Sequence, residues 1–243
     1  DGDGDVDVVV TSSAQDSLTI YANDGAQNFA ARFTSFESDS PQSIAVGDLD
    51  GDFEFDLVVA SGGDNTVGWR EQVGFDLGDA PAPYPTLLAD NGAHHPAAGP
   101  RLGAAINQES DGVPSASASA DAGDDGIVFG SILVGSVLDA TLTVDLQWPG
   151  SRFGTEQAFL EGWIDFNADG DWTDSGEHIF VSEALSIGQH TLSYQVPSNA
   201  VAGNSFARFR ISSAAGLGVT GPALDGEVED YQVTIVDPAV DYG

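Results

Sequence analysis

Short runs of alternating apolar and polar residues dominate the chain, whereas stripes with the period of a helix are hard to find. From Ile127 onward, six such runs each predict a strand, at residues 138–146, 159–166, 178–181, 191–196, 205–212 and 231–236. Thirty glycines and eleven prolines supply frequent turns. Strands this short and this closely spaced are typical of a β-sandwich, and the fold class is predicted to be all-β.

The first seventy residues contain an internal repeat. The acidic segment 1–7 precedes an apolar run at 8–10, and the acidic segment 50–56 precedes another at 57–60, with an offset of 49 residues between the copies. Each copy predicts an acidic loop followed by a short buried strand. The offset lies in the range of propeller blades and related arrays, so one to two blade-like repeats are expected before the sandwich.

Composition divides the chain into segments. Residues 76–126 are rich in Gly, Ala, Pro, Ser and Asp, which separates the repeats from the later strands. We therefore predict a repeat domain at 1–72, a sandwich at 73–237, and a linker or the start of a further repeat at 238–243. Because the chain opens inside an acidic motif, one hypothesis is that neighbouring subunits complete it head to tail. An ordinary segment boundary explains the same fact equally well.

The charge is strongly negative: 39 acidic residues stand against six basic ones, for a net charge of -33. Such a chain repels itself when compact. The regular spacing of the carboxylates favours bound divalent cations, several calcium ions here, over the solvated acidic surface of a halophilic protein. Nucleic acid is excluded as a partner because its phosphates would be repelled. No apolar run approaches the roughly 18 residues of a membrane span, so membrane insertion is not expected.

Cysteine is absent, which excludes disulfides, thiolate metal sites and thiol nucleophiles. We expect calcium to stabilise the fold in place of disulfides. Paired carboxylates would suit a glycosidase by residue type. However, they occur in calcium-loop spacing, and no nucleophile elbow, phosphate loop or zinc-protease motif is present. The chain is therefore not expected to be an enzyme.

The loop at 48–56 has a strong calcium-binding pattern. Calcium takes six to eight oxygen ligands, and alternating carboxylates around Gly51 can curl about one ion. The alternative is an acidic hairpin loop without a metal, although carboxylates so close are costly without a cation. These residues, DLDGDFEFD, resemble the FG-GAP or VCBS repeat, and the resemblance implies the ligands Asp48, Asp50, Asp52, Glu54 through its carbonyl, and Asp56. The shorter first copy offers Asp1, Asp3, Asp5 and Asp7.

A second candidate, at 165–177, nearly matches an EF-hand loop, but its flanks predict strands and its final glutamate falls one residue late. The expected ligands are Asp165, Asn167, Asp169, Asp171 through its carbonyl, and Glu177.

A third candidate lies near the end of the chain, at Asp225, Glu227, Glu229 and Asp230. Side chains two apart in a strand share a face, so Glu227 and Glu229 would point the same way. They could form a joint metal site with Asp79, Asp124 or Asp125 if the ends of the domain meet. The alternative is a solvated acidic edge that discourages strand pairing.

Aromatic residues and a histidine pair give weaker signals. The adjacent His94 and His95 favour loop packing or hydrogen bonding over a transition-metal site, because no third ligand is evident. Trp163 alternates with apolar positions and is predicted to be in the core. Trp172 lies inside an acidic loop and is predicted to be exposed, where it could stack on a sugar.

Two family resemblances rest on these motifs. Residues 48–56, DLDGDFEFD between apolar runs, resemble the FG-GAP or VCBS repeat, which implies calcium-binding blades. Residues 225–231, DGEVEDY, resemble the signature of the GEVED domain of large bacterial surface and secreted proteins. Its other landmarks include Gly162-Trp-Ile-Asp-Phe-Asn167 and Ala207-Arg-Phe-Arg-Ile-Ser-Ser213.

Together these features predict a calcium-stabilised structural module of an extracellular bacterial fibre, adhesin or matrix protein, located outside the cell or on its surface. Its expected partners are copies of itself or adjacent domains of a longer chain. One alternative is a calcium-dependent module that binds surface glycans. Another is the accessory domain of a secreted hydrolase.

Overall fold

The computed structural model of the chain describes residues 6–23, 26–35, 39–47, 49, 56–70, 74–109, 111–149 and 156–238. Within these ranges the protein is all-β, as predicted, with one short 3-10 helix at Leu88–Asp90. The chain divides into two compact units, Asp1–Gly74 and Phe75–Gly243. No helix in the described ranges is long and apolar enough to cross a membrane.

The first unit contains two antiparallel three-stranded sheets, and the internal repeat supplies one hairpin of each. One sheet has the order β1-β2-β3 and the other β4-β5-β6. Leu18, Leu57 and Val59 form the small buried core between the sheets. The strands are β1 (Val8–Ser12), β2 (Ser17–Asn23), β3 (Phe29–Ser35), β4 (Pro41–Gly47), β5 (Asp56–Ser61) and β6 (Thr66–Arg70).

The second unit is built from two larger sheets and a small hairpin. One sheet has the order β10-β12-β15, with β9 paired to β12, and the other has the order β11-β17-β16-β13-β14. The hairpin pairs β7 with β8. The strands are β7 (Phe75–Leu77), β8 (His94–Pro96), β9 (Arg101–Leu102), β10 (Ile127–Phe129), β11 (Ile132–Leu133), β12 (Ala140–Gln147), β13 (Gln157–Ile164), β14 (His178–Ser186), β15 (Gly188–Tyr194), β16 (Gly203–Ser212) and β17 (Glu227–Val236).

The two larger sheets share one apolar core, which is the arrangement of a β-sandwich. Leu142 and Val144 of β12 lie in the same buried cluster as Leu160 of β13 and Phe209 of β16. All six strands predicted after Ile127 are present. β17 begins at Glu227, four residues earlier than predicted, because Glu227 to Asp230 are buried although they include three acidic residues.

Candidate metal centre

A cluster of carboxylates forms where β7 passes close to β17. Asp76 lies in the middle of β7, and its Oδ2 accepts a hydrogen bond from Val228 N of β17 at 2.6 Å. Two residues further on, Gly78 permits this approach, because a Cβ there would lie 2.2 Å from Asp230 Oδ2. The buried side chain of Asp76 is thus fixed against the sandwich.

Glu109 and Asp121 come to Asp76 from the long segment between β9 and β10. Glu109 N donates to Phe75 O at 2.8 Å, and its Oε2 accepts from Leu77 N at 3.3 Å. Asp121 is fixed by Gly123 N, which donates to its Oδ1 at 2.7 Å. One carboxylate oxygen from each of the three lies within 4.8 Å of the others. Asp76 and Asp121 are buried, and Glu109 is half-buried.

Further carboxylates surround these three. Glu227 Oε2 accepts from Leu102 N at 2.5 Å, and Glu229 Oε1 accepts from the backbone N–H groups of residues 125 and 126, both at 2.8 Å. Asp79 Oδ2 accepts from Ala120 N at 2.5 Å and Asp121 N at 3.1 Å. Each of these bonds uses only one carboxylate oxygen of its side chain, and the second oxygen is not occupied by it.

Several of these oxygens are buried and have no hydrogen-bond partner within the described part of the chain. They are Asp76 Oδ1, Asp79 Oδ1, Asp121 Oδ2, both side-chain oxygens of Asp124, and Glu227 Oε1, together with Oδ1 of the neighbouring Asn107. A buried ionised carboxylate without a partner is strongly disfavoured. A hard cation such as calcium takes only oxygen ligands, and these residues fit one.

The electrostatics of the cluster lead to the same conclusion. Burial raises the pKa of Asp121 to about 6 and that of Glu109 to about 7. Burial, and then repulsion from Asp121 among other carboxylates, raises the pKa of Asp124 to about 12. For Glu227, burial and then repulsion from Glu229 raise the pKa to about 11. Without a cation, these side chains cannot all be ionised near neutral pH.

A buried ion pair borders the cluster. The guanidinium of Arg208 donates to Asp230 twice, from Nε to Oδ1 and from Nη2 to Oδ2, both at 2.7 Å, and both side chains are fully buried. This bidentate pair gives Asp230 its own cation. Arg208 also donates to Pro85 O at 2.8 Å and Val219 O at 3.2 Å, so it ties two loops to β16.

Asp225 is engaged elsewhere. Its Oδ1 accepts from Ser212 Oγ and Ser213 N, and its Oδ2 accepts from Ser213 Oγ, at 2.5 to 2.8 Å. Its backbone carbonyl contacts His95 Nδ1 at 2.8 Å, while Arg210 Nε donates to His95 Nε2 at 2.9 Å. Burial and the positive charge of Arg210 lower the pKa of His95, so the ring is neutral. Asp225 therefore binds the β16–β17 connection rather than joining the carboxylate cluster.

In the EF-like loop, the carboxylates of Asp165 and Glu177 accept hydrogen bonds from backbone N–H groups of the loop and from Tyr84. Asp165 accepts from Ala168 N at 2.6 Å, from Gly170 N at 3.0 Å and from Tyr84 Oη at 2.6 Å. Glu177 accepts from the backbone N–H groups of residues 166 and 174. Of the remaining predicted ligands, Asp169 and Asp171 are exposed and Asn167 is half-buried. Asp171 accepts from Thr173, which lowers its pKa. The assignment of this loop to calcium stays a prediction.

Most of the acidic repeat ligands lie outside the described residues, namely Asp1, Asp3, Asp5, Asp48, Asp50, Asp52 and Glu54. The last aspartate of each copy is described. Asp7 Oδ1 accepts from Asn23 N, and Asp56 Oδ2 accepts from Leu49 N, both at 2.9 Å. Asp56 is fully buried at the start of β5.

The prediction that Trp172 is exposed is wrong. Its side chain is only 2% exposed, because the loop folds back over the sandwich. The ring packs against Tyr84 at a tilt of 32° with 4.3 Å between centroids, and Nε1 donates to Phe206 O at 3.1 Å. The guanidinium carbon of Arg208 lies 4.6 Å from the ring centroid. A sugar-stacking role for Trp172 therefore loses its basis. Trp163 is buried, as predicted.

The central residues of the cluster, Asp76, Glu109 and Asp121, were not among the predicted ligands. They lie in a segment rich in Gly, Ala and Ser with no calcium-loop spacing. Of the predicted ligands, Asp79, Asp124 and Glu227 do lie in or beside the cluster. The available sequence signal was the pair of aspartates, Asp76 and Asp79, on either side of Leu77 and Gly78.

Comparison with known families agrees with the motifs. A family model described as FG-GAP-like repeat matches residues 1–59, and one described as GEVED domain matches residues 159–234. No curated protein matches the chain significantly. Both kinds of domain are typical of extracellular or surface proteins. The two matches agree, in identity and in order, with the two family resemblances of the sequence, an FG-GAP-like repeat followed by a GEVED domain.

Proposed function

We propose that the protein is a calcium-stabilised structural module of an extracellular bacterial fibre, adhesin or matrix protein. The observation that carries the proposal is the buried carboxylate cluster around Asp76, Glu109 and Asp121, with its unpartnered oxygens. The ligand set contains oxygen donors only, which favours calcium over transition metals that prefer imidazole or thiolate.

The ion would connect parts of the domain that are distant in sequence. Asp76 belongs to β7, whereas Glu109 and Asp121 belong to the long connection before β10. The unpartnered oxygens of Asp124 and Glu227 are further candidate ligands. Since the chain has no cysteine, a bound cation would supply the cross-link that a disulfide supplies in other exported proteins. Folding would then depend on the calcium available outside the cell.

In this proposal the cluster binds an ion and takes no part in catalysis. Asp76 is 1% exposed, and Glu227 and Glu229 are completely buried. A substrate could not reach these side chains without opening the sandwich. Burial of this kind suits a structural ion better than a reaction centre.

Thermal unfolding of the full chain, in calcium and in a chelator, tests the proposal. At a free calcium concentration 100 times the dissociation constant, an ion bound only by the folded state adds about 2.7 kcal/mol. The variant Glu109→Gln should lose much of this gain, because it removes a charged ligand. Glu183→Gln, at an exposed position of β14, is the matched control and should respond like the wild type.

The variant also separates the cluster from the acidic loops of the first unit. If calcium raised the melting temperature of Glu109→Gln as much as that of the wild type, the stabilising ion would lie elsewhere. If calcium left the wild type unchanged, the proposal would be wrong.

A further inference from the structure

The two sheets of the first unit share an equivalent hairpin. The hairpin β1–β2 maps onto β5–β6 with the 49-residue offset of the repeat. The turn residues Asp16 and Asn65 are equivalent and both have positive φ, 51° and 57°. The offset therefore identifies equivalent side chains on the two sheets.

The two sheets contact each other through faces that are not equivalent in the repeat. The first sheet contributes Leu18, supported by Val9 and Ile20. Their equivalents in the second sheet are Val67, Val58 and Trp69, and we call this set face A in each sheet. The second sheet instead contributes its opposite face, which we call face B.

Face B of the second sheet contains Leu57 and Val59, with Ile44 packed beside them. The equivalents of Leu57 and Val59 in the first sheet are Val8 and Val10. Within the chain, face A of the first sheet thus packs on face B of the second. The contact joins two unlike faces, which makes it heterologous.

This arrangement leaves one copy of each face open, and both open faces are apolar. On open face A of the second sheet, Val67 is 73% and Trp69 is 53% exposed. Strand register places Trp69 directly opposite Val58, and Val67 opposite Ala60. On open face B of the first sheet, Val8 is 42% and Val10 is 44% exposed. Exposed apolar residues that cluster on one face commonly mark a site of interaction with another protein.

We propose that open face A of one molecule docks on open face B of a second copy of this chain, so that copies associate head to tail. The chain carries both halves of the contact, and the same pairing of faces already holds its own two sheets together. A heterologous contact of this type produces a ring if it closes and a filament if it does not. The inference concerns the first unit alone and does not depend on an ion at the carboxylate cluster.

Sedimentation velocity of the full chain in calcium, over a range of protein concentrations, tests this surface. The wild type should grow beyond the 25.1 kDa of a single chain as its concentration rises. The double variant Val67→Glu/Trp69→Glu should remain a monomer, because charging the centre of an interface weakens association roughly 30-fold or more. Val137→Glu, at a 98% exposed position of the second unit, is the control and should assemble like the wild type.

A mixing experiment tests the pairing of unlike faces. Val8→Glu/Val10→Glu removes open face B and should also be monomeric alone. Mixed with the face A variant, it still offers an intact face A to an intact face B, so the mixture should form a species of twice the chain mass and nothing larger. Far-ultraviolet circular dichroism of each variant should match the wild type, and Trp69→Phe should preserve assembly.

A wild type that stays monomeric at every concentration would overturn the proposal. So would face A variants that assemble like the wild type, or a mixture that forms no heterodimer. Self-association of either double variant alone would show that like faces pair, which contradicts the heterologous contact. Because calcium-dependent melting is measured separately, failure of this surface and failure of the calcium proposal are distinguishable.

Discussion

Replacing Asp121 by asparagine should change stability in opposite directions with and without calcium. Asparagine keeps an Oδ1 to accept from Gly123 N, and its new amide can donate to the neighbouring carboxylates. In a chelator the substitution removes a buried charge whose pKa is raised from 3.8 to about 6. At about 1.4 kcal/mol per pKa unit, the relief above pH 7 is roughly 2–3 kcal/mol. For a domain of this size that is about 4–12 °C in melting temperature.

In saturating calcium the same substitution removes a charged ligand, so the melting temperature should fall below that of the wild type. Differential scanning calorimetry at pH 7.5, in calcium and in a chelator, measures the change in melting temperature of Asp121→Asn under both conditions. Glu183→Gln serves as the control, since it changes a charge on exposed β14 and should leave both temperatures unchanged. If Asp121→Asn lowered the melting temperature equally in both conditions, the carboxylate would be a structural acceptor and the reasoning about an ion would be refuted.

Three further predictions follow from the surrounding contacts. In a chelator, stability should fall as pH rises from about 5 to 8: the pKa of Glu109 is raised from 4.5 to about 7, so the folded state binds more protons than the unfolded state in this range; melting temperatures that rise with pH would contradict this. Arg208→Met should cost about 3–5 kcal/mol in urea denaturation, because it leaves Asp230 buried without its cation; a loss below 1 kcal/mol would be unexpected. Tyr84→Phe should cost about 1.5–3 kcal/mol through the lost hydrogen bond to buried Asp165, measured in the same way; an unchanged midpoint would show that the bond contributes nothing.

The strands could be predicted from the sequence because burial on one face leaves a period of two. β12 shows the pattern directly, with Leu142, Val144 and Leu146 buried and the residues between them partly exposed. The repeat was equally visible, because two acidic segments precede two similar apolar runs. In these elements a local pattern determines a local structure.

The centre of the site could not be predicted in this way. Asp76 and Asp121 lie 45 residues apart, in a segment whose composition indicates loops, and long-range contacts such as the hydrogen bond from Asp121 N to Asp79 Oδ2 bring them together. The burial of Arg208 was hidden for a related reason. An arginine in an alternating strand indicates a solvent-facing position, and its true partner, Asp230, lies on the neighbouring strand. In the sequence alone, a buried charged residue whose partner lies on another strand therefore looks the same as an exposed surface residue.

The measurement that tests the central claim most directly is anomalous diffraction from crystals grown in calcium. We predict an anomalous peak between Asp76, Glu109 and Asp121, with carboxylate oxygens at about 2.3–2.6 Å from it. Exchange for a lanthanide should strengthen a peak at the same position. Crystals that show ordered carboxylates and no anomalous peak among these three residues would contradict the account.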